Sequence, residues 1–320
     1  MQLPRFGLGC APLGNLFQQF TDAEADAVLQ AAWDAGVRYF DTAPHYGLGL
    51  SELRLGRFLA TKPRDEYIVS TKVGRLLREN PDWDGSAMDG TGFVVPARLR
   101  RELDYSAAGV RASAEDSLDR LGLDRIDLLY VHDPELSGIP GAVETAMSAL
   151  ADLRAEGIAS AIGTGSLGVD ALLATVRTGL ADVLMVANRY TLLDQSVVPD
   201  LLDACDVHGT RIVAAAVFNS GLLAGTPSRD AKYDYRDVPD EVLARALEID
   251  KVCREYDVEL PAAAVQYPLL DPRVSSVVAG ATTPDQVRQN VARLETPVPL
   301  ALWDALAGLG VRNGGGSGCR

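Results

Sequence analysis

Four side chains with acid–base chemistry stand at the ends of short apolar runs: Asp41, Tyr46, Lys72 and His132. A lysine ammonium beside a tyrosine stabilises the tyrosinate and lowers the tyrosine pKa from its usual value of about 10. Asp41 can hold Lys72 in place and keep it charged, and a neutral His132 can donate a hydrogen bond to the same substrate oxygen. The set therefore predicts proton handling in the interconversion of a carbonyl and an alcohol, with Tyr46 as the acid or base.

Each of these residues, taken alone, also fits a structural role. Asp41 suits an Asx turn, Lys72 a solvated strand-end lysine, and His132 a hydrogen-bonded core histidine. The ends of successive parallel strands converge, which favours the catalytic interpretation. The set contains no hydride donor, carboxylate pair or metal cluster, so a nicotinamide cofactor completes the chemistry and no metal is expected.

The elements that must position these residues are short strands, each followed by apolar residues at helical spacing. This alternation is typical of βα units around a parallel sheet. The first predicted helix begins with a capping box, since Glu24 stands three residues after Thr21. The fold class predicted is α/β, a single closed (β/α)8 TIM barrel. Its predicted strands are 5–9, 39–40, 67–71, 126–132, 159–163, 183–186, 211–217 and 274–278.

Two long polar connections follow the third and seventh predicted strands, at 80–105 and 222–239. Barrel enzymes build their active sites from loops at this end of the strands. No change of composition divides the chain, so residues 1–310 are predicted to form one domain. Residues 311–320 are glycine-rich and are predicted to form a flexible tail.

Composition excludes several classes of protein. The chain has 320 residues, of which 47% are hydrophobic and 23% charged, as in ordinary globular proteins. Its net charge of −14 disfavours a nucleic-acid partner or an anionic membrane surface. The longest uncharged run, 212–228, contains glycine and proline and makes a poor membrane span. With no signal-peptide pattern and no C-x-x-C pair among four cysteines, we expect a cytoplasmic protein. No feature indicates a particular oligomeric state.

The segments that carry the four residues resemble those of the aldo-keto reductases. Asp41 and Tyr46 lie in segment 40–47, Lys72 in Ser-Thr-Lys-Val-Gly, and His132 in Val-His-Asp-Pro. The resemblance runs from about residue 4 to residue 309. It implies a (β/α)8 barrel that binds NAD(P)(H) without a Rossmann fingerprint, and it implies that the four residues form the catalytic tetrad. The chain has no G-x-G-x-x-G motif.

The same resemblance implies which positions bind the cofactor. Ala187 replaces a glutamine that is common in the family, and Ala215 replaces a tyrosine that in some members stacks on the nicotinamide. The positions carried over are Gly9, Cys10, Gly165, Ser166, Phe218, Asn219, Ser220, Gly221, Leu222, Gly280, Thr282, Gln286 and Asn290.

NAD is the expected cofactor, with NADP as the alternative. A 2′-phosphate needs cationic partners, and Thr282 and Gln286 offer only hydrogen bonds. Arg288 is a nearby cation that can compensate, which keeps NADP open.

Three segments resemble the branch of the family that oxidises L-fucose, D-threo-aldoses, L-galactose and pyridoxal: 93–96 with 103–106, 189–193, and 218–221. This resemblance implies a small carbonyl or lactol substrate, most specifically the hemiacetal C1 of an aldose oxidised to a lactone. Trp83, Tyr105 and Arg189 are candidates for the substrate pocket, although each fits loop packing equally well.

Other functions remain compatible with the sequence. A pyridoxal 4-dehydrogenase or a general NADPH-dependent aldehyde and ketone reductase would use the same tetrad. A nucleotide-sensing accessory subunit is the non-enzyme alternative, because the family's fold also serves in potassium-channel β subunits. The complete tetrad favours an enzyme.

Overall fold

The structure, a computed structural model, describes residues 2–234 and 236–312. Strands and helices alternate along most of this part of the chain. The strands are β1 Phe6–Gly9, β2 Tyr39–Asp41, β3 Ile68–Val73, β4 Arg75–Glu79, β5 Leu99–Leu103, β6 Ile126–His132, β7 Ala159–Ser166, β8 Val183–Ala187, β9 Arg211–Ala215, β10 Lys232–Tyr233, β11 Arg236–Asp237 and β12 Val274–Gly280.

The α-helices lie between and after the strands. They are α1 Asp22–Asp34, α2 Leu50–Leu59, α3 Ala107–Leu121, α4 Ala142–Ala155, α5 Val169–Arg177, α6 Asp200–His208, α7 Asp240–Glu255, α8 Leu260–Gln266, α9 Pro284–Glu295 and α10 Leu300–Gly308. The capping box predicted at α1 is confirmed, because Thr21 accepts from the backbone of Glu24 and the Glu24 carboxylate accepts from the backbone of Thr21.

Eight strands close into a parallel barrel in the order β1–β2–β3–β6–β7–β8–β9–β12. Alternate side chains of the strands fill the interior and pack against the helices. Tyr39, Tyr130, Met185 and Val278 belong to one buried interior cluster. The predicted (β/α)8 barrel is confirmed, with strand boundaries within three residues of the prediction.

The segment after β3 differs from the predicted long polar connection. It contains an antiparallel hairpin in which Arg75 pairs with Leu103 and Glu79 pairs with Leu99. The tip of this β4–β5 hairpin, residues 80–98, returns to the mouth of the barrel, where Phe93 forms a bridge to Leu16. The prediction missed the hairpin because its two strands carry mixed charged and apolar residues rather than a clean alternation.

The segment after β9 is also long, as predicted, but its strand ends earlier. The strand ends at Ala215, two residues before the predicted end, because Ala216 has a φ of 54° and turns the chain away from the barrel. A short hairpin, formed by the two-residue strands β10 and β11, interrupts the segment. The predicted flexible tail falls largely on residues 313–320, which lie outside the described residues.

Two features are absent from residues 2–234 and 236–312. No helix there has the length and apolar character needed to cross a membrane. Within the same ranges, no group of three or more His, Cys, Asp or Glu side chains is arranged to hold a metal ion.

Candidate active site

Three of the four predicted acid–base residues come from adjacent barrel strands. Asp41 ends β2, Lys72 is the penultimate residue of β3, and His132 ends β6. Because β2 pairs with β3 and β3 pairs with β6, these side chains meet at the carboxyl end of the barrel. Tyr46 joins them from the turn that follows β2.

Lys72 is the centre of the hydrogen-bonded cluster. Its Nζ lies 3.0 and 2.8 Å from the two carboxylate oxygens of Asp41, 2.9 Å from the Thr42 carbonyl oxygen and 3.0 Å from Tyr46 Oη. The side chains of Lys72 and Asp41 are only 3% and 4% exposed. A buried ammonium needs such a partner, so the ion pair fixes the charge that faces the tyrosine oxygen.

Two glycines allow Tyr46 to reach this cluster. A Cβ added at Gly14 would lie 2.6 Å from the carbonyl carbon of Tyr46, and one added at Gly47 would lie 2.3 Å from the Gly14 oxygen. Gly47 also has a φ of 62°, which favours glycine. The turn that carries Tyr46 can therefore pack directly against the backbone that follows β1.

The surroundings of Tyr46 raise its pKa well above the usual value. Burial is the largest cause, followed by the negative charges of Asp41 and Asp133, while Arg75 acts in the opposite direction. The sequence predicts that the Lys72 ammonium lowers this pKa, but in the protein alone burial and the two carboxylates raise it overall. Tyr46 is a proton donor at neutral pH, and its conversion to a base is favoured by alkaline conditions.

His132 is a neutral imidazole. Burial lowers its pKa well below the usual range, and the positive charges of Arg75 and Lys72 add to the effect. Its ring lies edge-on to Tyr46, with 6.0 Å between ring centroids. It can thus share a substrate oxygen with Tyr46 without adding a charge, as the sequence argument assumed.

Two aromatic side chains that sequence reasoning did not assign to the site lie beside it. His45 is 5.6 Å from His132 between ring centroids, and Phe93 is 6.0 Å from Tyr46. Burial, with the charges of nearby arginines, lowers the pKa of His45 to about 2, so it is also neutral. In the sequence, His45 is marked as a site residue only by its position immediately before Tyr46. Phe93 arrives on the β4–β5 hairpin, and only a family-like segment pointed to it.

The three predicted substrate residues use their polar atoms in the fold. Tyr105 is 2% exposed, and its hydroxyl donates to the His132 carbonyl oxygen over 2.7 Å. Trp83 donates from its indole nitrogen to a backbone oxygen of the β4–β5 hairpin over 3.0 Å. Arg189 forms ion pairs with Asp194 and Asp234 at 3.3 and 2.8 Å. These contacts agree with the loop-packing alternative, and Tyr105 supports the backbone of His132.

The predicted cofactor positions near the tetrad lie directly after β1 and at the end of β7. Gly165 is close to Lys72, since an added Cβ would lie 3.5 Å from Lys72 Cε. Ser166 donates to Glu135 over 2.6 Å and accepts from the backbone of Gly168 over 2.7 Å. Cys10 is fully buried, and its backbone nitrogen donates to the Asp41 carbonyl oxygen over 2.8 Å.

The remaining predicted cofactor positions form two groups. Gly9 pairs with Gly280 between β1 and β12, and the chain then passes through Thr282 and Gln286 to Asn290, whose amide lies 3.5 Å from the Gly280 oxygen. The second group follows β9. Its backbone has positive φ at three successive residues, so the chain turns tightly, and the N–H groups of Asn219 and Gly221 donate within this turn to the carbonyl oxygens of Ala216 and Phe218. This group is Phe218, Asn219, Ser220, Gly221 and Leu222.

Buried amide groups beside the second group fit a bound polar molecule. Both side-chain amide atoms of Asn188 and the Oδ1 atom of Asn219 have no hydrogen-bond partner among the described residues, and both residues are 0% exposed. Asn219 Nδ2 lies 3.4 Å from the Asn188 carbonyl oxygen. Buried polar atoms normally find partners, so these atoms suit contact with a bound polar group. Asn188 was missed because no pattern marks it, although it directly follows Ala187.

The barrel and this site define an oxidoreductase that pairs protein acid–base groups with a nicotinamide cofactor. The chain belongs to the aldo/keto reductase family, whose sequence pattern matches residues 5–309. It is 54% identical to a D-threo-aldose 1-dehydrogenase from Pseudomonas sp, covering 96% of this chain and 94% of the relative. It is 39% identical to a pyridoxal 4-dehydrogenase from Microbacterium luteolum, covering 95% and 93%.

A solved structure supports the same assignment. The holo form of an aldo-keto reductase from Bacillus halodurans has a TM-score of 0.74 and 26% identity to this chain, covering 95% of this chain and 91% of the other. The fold resemblance is therefore full-length, and the protein is an oxidoreductase of the aldo/keto reductase family that acts on a small molecule.

Proposed function

We propose that the protein oxidises the hemiacetal C1 of an aldose to a lactone by hydride transfer to NAD. The observation that carries the proposal is the Tyr46–Lys72–Asp41 chain, with its 3.0 and 2.8 Å contacts, beside a neutral His132. The substrate class is supported by the relative from Pseudomonas sp that is 54% identical to this chain.

The tetrad residues have distinct tasks in this proposal. Nicotinamide, when bound, accepts the hydride from C1. The phenolate of Tyr46 takes the proton of the C1 hydroxyl, and neutral His132 donates a hydrogen bond that orients the same oxygen. Lys72 stabilises the phenolate, while Asp41 holds Lys72. Because the pKa of Tyr46 is raised, the phenolate fraction and the oxidation rate increase with pH.

The cofactor residues proposed are those of the two groups described above, with Ser166 and Asn188 near the nicotinamide. NAD is favoured over NADP by the hydrogen bonds at the start of α9. Gln286 Oε1 accepts from the backbone and side chain of Thr282 at 2.7 and 2.9 Å. Both side chains are neutral, so neither residue supplies a positive charge. The nearby Arg288 is ion-paired with Asp285. A 2′-phosphate would lack a ready cation here.

Pyridoxal is a second candidate substrate. His45 and Phe93 form an aromatic wall beside Tyr46, with 5.3 Å between their ring centroids, and a flat pyridine ring can pack against it. The relative from Microbacterium luteolum is named for this activity. We also propose a cytoplasmic location, supported by the free, buried thiols of Cys10, Cys205 and Cys253.

The test is NADH formation by the purified protein with L-fucose, D-arabinose, L-galactose, L-xylose and pyridoxal, each with NAD and with NADP. We expect turnover with at least one aldose and NAD. Tyr46→Phe should abolish nearly all turnover and leave cofactor binding nearly unchanged, because it removes the proton-transfer oxygen and keeps the ring. Efficient NADPH-dependent reduction of simple aldehydes, with no oxidation of the panel, would establish the general reductase instead. Cofactor binding without turnover would favour a nucleotide-sensing accessory subunit.

A further inference from the structure

Two hydroxyl groups continue the hydrogen-bonded chain of the tetrad into the barrel interior. Ser70 Oγ donates to Asp41 Oδ1 over 2.7 Å, and Tyr39 Oη lies 3.0 Å from Ser70 Oγ. Asp41 Oδ1 also accepts from Lys72 over 3.0 Å. Ser70 and Tyr39 are both 0% exposed, so bulk water does not compete for these hydrogen bonds.

The chemistry of the groups sets the direction of this chain. An ionised carboxylate only accepts, and a serine has a single hydroxyl proton, so the proton of Ser70 is committed to Asp41. Tyr39 must then donate to Ser70. Burial raises the pKa of Tyr39, so it keeps its proton. The two hydroxyl dipoles are aligned toward the carboxylate, and each polarises the next.

The inner end of the chain shows that it is not a route for protons to leave the site. Tyr39 packs in the interior cluster with Leu128, Tyr130, Met185 and Val278, all of which are buried. The only other hydroxyl in this cluster is that of Tyr130, which interacts with Tyr39 and is also 0% exposed, so a proton moved to Tyr39 would not reach solvent. The remaining role for the chain is to hold and stabilise the Asp41 carboxylate.

We propose that Ser70, supported by Tyr39, is a positioning residue that fixes the Asp41 carboxylate on Lys72 and thereby sets the charge that Tyr46 experiences. The proposal rests on the proposed acid–base role of Tyr46. Without the Ser70 hydroxyl, the negative charge of Asp41 is less compensated, and the carboxylate holds Lys72 beside Tyr46 less firmly. Both changes disfavour the phenolate, so they act in the same direction.

Other titratable groups around Tyr46 do not touch Ser70. Besides Asp41 and Lys72, these groups are Cys10, His45, Arg75, His132 and Asp133. Asp133 pairs with Arg75 over 2.7 Å, and both histidines are neutral. A change confined to Ser70 therefore reaches Tyr46 through Asp41 and Lys72.

The test compares Ser70→Ala with Ser276→Ala. Ser276 is a fully buried serine of β12 whose hydroxyl has no partner among the described residues. Its alanine variant therefore removes a buried serine hydroxyl that does not belong to the hydrogen-bonded series of Tyr39, Ser70 and Asp41. For Ser70→Ala we expect kcat for aldose oxidation to fall roughly tenfold, as for a lost hydrogen bond to a charged group. The alkaline rise of kcat should move to higher pH, with the KM for NAD unchanged. Ser276→Ala should change neither.

Tyr39→Phe provides an independent test, because it deletes one oxygen and keeps the ring. We expect a smaller shift of the pH profile in the same direction. An unchanged pH profile in both variants, or a loss in Ser70→Ala matched by Ser276→Ala, would overturn the proposal. If the wild type oxidises no aldose, the proposed function fails separately. Ser70 is then tested in NADPH-dependent reduction of a simple aldehyde, where the alkaline decline of kcat must move to higher pH.

Discussion

Replacing Lys72 by methionine removes the group that joins Asp41 to Tyr46, and its effects on stability and turnover can be separated. The Lys72 ammonium lies 2.8 Å from an Asp41 oxygen, and both side chains are nearly inaccessible. Removing one partner of a buried ion pair typically costs roughly 3–5 kcal/mol, because the remaining charge is left uncompensated. We expect the free energy of unfolding of Lys72→Met to fall by about that amount.

Turnover should fall for a different reason. Lys72 Nζ lies 3.0 Å from Tyr46 Oη, where it stabilises the phenolate. A hydrogen bond to a charged group contributes roughly 1.5–3 kcal/mol, which corresponds to a loss of about tenfold to a hundredfold in kcat. The alkaline rise of any remaining oxidation should also move to higher pH, because the phenolate loses its counter-ion.

The double variant Asp41→Asn/Lys72→Met is the matched control. It removes both charges, and replacing a whole buried pair is often nearly neutral, so most of the lost stability should return. Turnover should stay low, because the ammonium is still missing. Urea unfolding measures stability, and initial rates from about pH 6 to 10 cover the approach to the tyrosine pKa. This account would be refuted if Lys72→Met were as stable and as active as the wild type, or if the double variant recovered turnover.

Three further predictions concern the cofactor and the fold. Gln286→Arg should tighten NADP binding about tenfold relative to NAD, because the arginine can form a charge-assisted contact with the 2′-phosphate. Fluorescence titration of each cofactor measures this change in affinity. A wild-type protein that already binds NADP more tightly than NAD would contradict the argument. Gly163→Ala should lower the free energy of unfolding by ~3 kcal/mol, and with it the urea midpoint, because its Cβ would lie 1.6 Å from a backbone oxygen of β8. Gly90→Ala, in open space, should leave the midpoint unchanged. Burial raises the pKa of Asp271, but hydrogen bonds from Arg273 outweigh it and lower that pKa overall. The stability this pair provides should therefore be lost as pH falls below about 4, and Asp271→Asn should flatten that loss in urea unfolding across acid pH.

The sequence predicts the barrel and the meeting of the tetrad because both follow from local patterns combined with one topological rule. Apolar runs mark the strands, and strand ends of a parallel barrel converge, so Asp41, Lys72 and His132 are brought together without knowledge of any contact. Tyr46 follows because only a short turn separates it from β2.

Other parts of the site depend on packing that a sequence pattern does not specify. The high pKa of Tyr46 is a consequence of burial, which the ionic pattern alone does not reveal. Phe93 reaches the site through pairing of strands separated by about 20 residues, and such long-range pairs leave no periodic signal. Asn188 is distinguished by buried side-chain amide atoms that have no partner among the described residues, which is a property of its three-dimensional surroundings.

The β4–β5 hairpin has a consequence for how this protein can change. Its two strands pair only with each other in the described structure, as a sheet separate from the barrel. It brings Phe93 to the site, and its Arg101 donates to the His45 carbonyl oxygen over 2.8 Å. Exchange of residues 80–98 for a different sequence would therefore alter the aromatic surroundings of His45 and Tyr46 while leaving the strands that carry Asp41, Lys72 and His132 unchanged in sequence. We therefore expect a grafted hairpin tip to change substrate preference without changing the residues of the tetrad.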